Sequence, residues 1–111
     1  MAKQMRYFDP FGNDNLESYW RVDSVNLSVT DRMARIVFVG YRDAEARQER
    51  KAVIGSKDYT ITDSAFDAMY AAHLSQGGPN LLQLVYQYAA VTLDTWNGSA
   101  WVGFFDGAVD V

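Results

Sequence analysis

The chain has 111 residues and a mass of 12.5 kDa, with 49% hydrophobic and 22% charged residues, which suits one ordinary globular domain and lies outside the regime of disorder. It has no cysteine, which excludes a disulfide framework, a thiolate metal site and a thiol nucleophile. A net charge of −4 and a pI near 4.7 argue against nucleic-acid binding, which depends on Lys and Arg neutralising phosphates.

The charge is unevenly spread. All ten Lys and Arg lie at or before Lys57 beside eight acids, whereas residues 58 to 111 carry six acids and no Lys or Arg. Such polarity fits either a solvated surface on which the charges interleave or a subunit whose basic end meets acidic surface on the next copy. The N-terminal "MAKQMRYFDP" has no secretory apolar run and no uncharged stretch approaches the ~20 residues of a membrane span, so synthesis in the cytoplasm and no membrane partner are expected.

In chain order, "RYFDPFGNDNLESYW" places aromatics among turn formers before any clear strand. Residues 1 to 18 are expected as an extended N-terminal arm, with 19 to 111 as a single α+β domain. Tyr7, Phe8 and Phe11 then have to lie against something to be stable in water, either their own domain or a neighbouring molecule. The pattern "SYWRVDSVNLSV" switches its apolar parity near Asp23 and Ser24, which suggests a β-bulge. "TDR" supplies a turn at Thr30 to Arg32, and "MARIVFVGY" reads as a central strand apolar on both faces.

"RDAEARQERK", from Arg42 to Lys51, is dense in charge and reads as a solvated connection or one exposed helical turn. Arg42, Arg47, Arg50 and Lys51 make it a basic loop suited to an acidic partner surface. "AVIGSKDYTIT" is strand-like on both sides of Gly55 and completes an antiparallel hairpin or sheet over about 19–61. Phe66, Met69, Tyr70, His73 and Leu74 share one helical face, predicting a helix over 63–76 capped by Thr62 or Asp63, with Asp67 suited to its positive end and "QGGPN" as its stop. "NLLQLVYQYAAVTLDTW" fits both periods. A helix over 80–90 followed by a hairpin over 91–106 is expected, because Asn97-Gly98 between Trp96 and Trp101 is a strong two-residue turn signal.

No catalytic constellation emerges. His73 is the only histidine and lies on the apolar helix face, where packing is the ordinary role. The oxygens of Asp9, Asn13, Asp14, Asn15 and Glu17 could serve calcium, but the EF-hand order is absent and turn chemistry explains them better. Gly77 and Gly78 follow a helix and lack the phosphate-loop Lys. No enzyme activity, catalytic residue, metal or cofactor is therefore expected. Aromatics form 14% of the chain, more than a small core readily hides. Trp96 and Trp101 beside a tight turn pack across strands or, in a second reading, stack on a ligand such as a carbohydrate.

The segments "YWRVDSVNL", "VGYRDAEAR" and "FFDGAVDV" resemble small proteins encoded among the tail, baseplate and fibre genes of tailed bacteriophages and prophages. The likeness covers residues 19 to 72 and the last eight and contains no chemically specific motif. It implies a structural subunit of the virion, without catalysis or cofactor, bound to other virion proteins and to copies of itself.

Overall fold

The computed structural model describes residues 2–74, 80–96 and 99–111. Seven strands and three helices follow one another along it. They are β1 (Lys3–Phe8), β2 (Asp14–Ser28), β3 (Met33–Tyr41), α1 (Ala44–Gln48), β4 (Gly55–Thr62), α2 (Asp63–Leu74), α3 (Leu81–Val91), β5 (Thr95–Trp96), β6 (Trp101–Val102) and β7 (Val109–Asp110). Five strands form an antiparallel sheet in the order β4-β3-β2-β1-β7, and β5 pairs with β6. The fold is α+β, and β3 is internal in the sheet.

Where an extended arm was expected, the sheet takes the residues instead. Lys3 pairs with Trp20 and Phe8 with Asp14, so the first strand completes its own sheet. The register slips between Met5 and Tyr7, where Arg6 faces both Leu16 and Glu17, and this places an irregularity early in β2. Through Asp23 and Ser24 β2 is unbroken. The parity switch there has a different consequence: Trp20 is fully buried, whereas Leu27 and Val29 of the opposite parity are exposed. In β3, Ala34, Ile36 and Phe38 are buried while Val37 and Val39 are only half-buried, so one face is core and the other is not. The chain splits into two compact units, one of residues 1–24, 37–58 and 107–111 and the other of residues 25–36 and 59–106.

In the first unit, Trp20 is the centre of the core. Its indole N–H donates to Ser18 Oγ at 2.9 Å, and the Ser18 hydroxyl donates to the Met5 carbonyl, which satisfies both buried polar groups. Tyr7 meets the indole edge-on at 5.0 Å. Gly40 lies directly against the same indole, where a β-carbon would fall 2.5 Å from Cε2. β7 closes the edge of β1 at Lys3 and Gln4, with a 2.6 Å ion pair between Lys3 and Asp110. This pairing of the tail is non-local and has no counterpart among the sequence signals.

In the second unit, Arg32 ends the β2–β3 turn at φ 52° and its guanidinium grips Asp67 of α2 through two bonds, at 2.6 and 3.1 Å. Asp67, expected at the positive end of the helix, lies beyond its first turn and answers the Arg32 side chain. α2 buries Phe66 and Met69 and leaves Leu74 exposed. α3 opens with a capping box in which Asn80 Oδ1 accepts from the Gln83 N–H at 2.9 Å and Gln83 Oε1 accepts from the Asn80 N–H at 3.1 Å. It buries Val85, Tyr86 and Ala89, and its Tyr88 meets the buried Tyr59 of β4 edge-on at 6.0 Å. β4 begins at Gly55, so that glycine starts a strand and does not interrupt one. The expected C-terminal hairpin is present as the short β5–β6 pair. Its Asn97-Gly98 turn and the residues 75–79 that follow α2 lie outside the described residues.

Candidate functional site

The turn from β1 to β2 is built by one carboxylate. Asp9 is buried, and its Oδ1 accepts the backbone N–H groups of Phe11 at 2.9 Å and Asn13 at 3.0 Å, while Oδ2 accepts from Asn15 Nδ2 at 3.2 Å. Gly12 at φ 85° and the Asp9–Asn13 backbone bond finish the turn. These bonds, led by the Asn13 amide, hold the Asp9 carboxyl below the usual carboxylate range. Its oxygens thus serve the turn. Asp14 accepts a bidentate contact from Arg6, which lowers its carboxyl in the same way.

On this rigid frame the aromatics of the expected arm divide. Tyr7 turns inward between Trp20 and Gly55, where a β-carbon would fall 2.7 Å from its hydroxyl. Phe8 and Phe11 turn outward at 61% and 86% exposure, with Leu16 at 67%. The Arg6 guanidinium lies 4.9 Å from the Phe8 ring centre and adds a cationic rim.

The basic loop forms a second feature. Asp43 caps α1 by accepting the Ala46 N–H at 2.7 Å. At its far end the Lys51 N–H reaches the Ala46 carbonyl at 2.9 Å and the Arg50 N–H reaches the Arg47 carbonyl at 3.2 Å, with Arg50 left-handed at φ 57°. The result is a cleft of about 460 Å³ lined by Tyr41, Arg47, Gln48, Arg50, Lys51 and Val53. Arg42 does not join it; it lines a separate cleft with Asp14, Asn15, Leu16, Glu17 and Asp43, and lies 3.6 Å from the Asp43 carboxylate.

The remaining candidates are dispersed. Trp96 and Trp101 are paired positions of the β5–β6 ladder, and Trp101 is 58% exposed. His73 is half-buried on α2, and its Nδ1 has no hydrogen-bond partner among the described residues. Burial raises the Tyr59 phenol, with smaller contributions from Asp94 and Tyr88. Among the described residues no three metal-ligating side chains come together. No family model, curated protein or solved structure matches the chain.

Proposed function

We propose that the protein is a non-catalytic assembly subunit that works through protein–protein contacts, centred on the β1–β2 turn. One observation carries the reading: Phe8 and Phe11 stand in water on a turn already locked by the buried Asp9 carboxylate. An aromatic presented in a fixed conformation loses little entropy on binding and is the usual anchor of an interface. Its occupants would be copies of this chain and, in the setting implied by the likeness to phage tail, baseplate and fibre proteins, other virion proteins.

The test is solution mass by light scattering over a range of concentrations for the wild type and for Phe8→Ser/Phe11→Ser. Burying the two rings is worth about 1.5–3 kcal/mol each, so the double variant should weaken association by about a hundredfold or more. Its thermal midpoint should stay at the wild-type value, because neither ring is in the core. A wild type that remains monomeric alone and with the products of its neighbouring genes refutes the reading.

The exposure of Trp101 opposite Trp96 favours a second reading, a small carbohydrate-binding module. Indole fluorescence titrated with a glycan panel separates the two, since a sugar stacking on an exposed ring changes its emission.

A further inference from the structure

The cleft at the end of α1 brings together three cations in a chain whose net charge is −4. Lys51 has a partner in Glu49 at 3.1 Å. The guanidinium groups of Arg47 and Arg50 have no carboxylate partner among the described residues. Arg50 is held left-handed, at a helix-ending position that glycine occupies without strain. Tyr41 and the exposed Val53 also line the cleft and add a smaller apolar portion to it. At about 460 Å³ the cleft has the size of an ordinary ligand site and is much larger than one inorganic anion requires.

We infer that this cleft binds an acidic peptide segment of a protein partner, with carboxylates on the Arg47 and Arg50 forks and apolar neighbours against Tyr41 and Val53. Guanidinium forks match carboxylate geometry, and a carboxylate in water approaches them without having to break an existing ion pair. Tyr41 and Val53 favour a peptide in which apolar side chains accompany the acids. The inference rests on the assembly reading, for which it names the chemistry of a partner.

The experiment is fluorescence anisotropy on the full chain, with a fluorescein-labelled peptide alternating Asp and Leu, its counterpart alternating Asn and Leu, and inorganic phosphate as competitor. The acidic peptide should bind, more weakly as salt rises, and the neutral one should not. Arg47→Gln and Arg50→Gly should each reduce affinity about tenfold or more, the effect of losing one charge-assisted bond. Val53→Ser should weaken binding several-fold. Arg50→Gly also relieves the left-handed backbone, so its thermal midpoint should rise while binding falls, which separates recognition from misfolding.

Absence of binding by the wild type, equal binding of the neutral peptide, or unchanged affinity in Arg47→Gln and Arg50→Gly overturns the inference. So does full displacement by millimolar phosphate with no effect of Val53→Ser, which would mark a small-oxyanion site. Phe8→Ser/Phe11→Ser should retain peptide binding. A wild type that binds the acidic peptide but does not assemble refutes the turn alone, and one that assembles without binding the peptide refutes the cleft alone.

Discussion

Gly40→Ala tests whether the core of the first unit is organised around Trp20. The new methyl carbon would fall 2.5, 2.6 and 2.8 Å from three atoms of the indole, well inside contact distance. Trp20 has no solvent exposure, its N–H is held by Ser18 and Tyr7 meets it edge-on, so the ring cannot retreat without releasing a bond. Overpacking of this kind costs about 1–3 kcal/mol, and a buried N–H left unpaired costs about another 1–3 kcal/mol, giving a loss of about 2–6 kcal/mol. At roughly 4 °C per kcal/mol for a chain of this size, the thermal midpoint should fall by about 8–24 °C. Urea unfolding followed by circular dichroism measures the loss. The double variant Gly40→Ala/Trp20→Phe should be more stable than the sum of the single losses predicts, by about 1 kcal/mol or more, because the smaller ring leaves room for the methyl group. A Gly40→Ala protein within about 0.5 kcal/mol of wild type, or strict additivity in the cycle, would refute this packing.

Removing residues 1 to 15 should unfold the monomer, since it deletes β1 and with it the sheet partner of both β2 and β7; a cooperative unfolding transition at the wild-type midpoint would contradict this. Asn80→Ala should cost about 0.5–2 kcal/mol and reduce helical ellipticity, and an unchanged melt would mean that α3 does not depend on its capping box. The carboxyls of Asp9, Asp14 and Asp67 are all held below their ordinary value of 3.8, Asp9 by turn amides and the other two by Arg6 and Arg32. Their contribution is complete above that value and is lost as pH falls through the lower folded-state values, so acid unfolding should begin below about pH 4. Urea midpoints of Asp9→Asn measured between pH 5 and 2 should show a shallower decline than wild type, and parallel curves would remove Asp9 from the account.

The elements expected from local chemistry are present because their signals act within a few residues. α3 opens at the side chain of Asn80, α2 buries Phe66 and Met69 from its predicted face, and the "TDR" turn closes through Arg32. The boundaries of β4 and the start of the sheet differ from expectation because a strand is defined by the neighbour that pairs with it. Nothing in "RYFDPFGNDNLESYW" announces that Phe8 will face Asp14 across a ladder.

The candidate site shows the same division. The Asp9 turn was legible, since Asp, Pro, Gly and Asn each favour turns for a stated reason. Which aromatics it would expose was not: Tyr7 is held by Trp20 and by the close approach of Gly55, contacts separated by 13 and 48 residues, while Phe8 next to it is left outside. The basic character of residues 42 to 51 was equally plain, but the division that sends Arg42 to one cleft and Arg47, Arg50 and Lys51 to another follows from the capped turn of α1.

By itself the amino-acid order determined the α+β class, the two longer helices, the turns at Asp9 and at Thr30 to Arg32 and the opposed charge of its two halves, because periodicity, capping and charge are properties of neighbouring residues. Only the tertiary structure decided that the first strand belongs to its own sheet, that the tail returns to pair with it, and which side chains are left facing water. Those outcomes depend on contacts between distant residues, whose energies exist only once the chain has closed on itself.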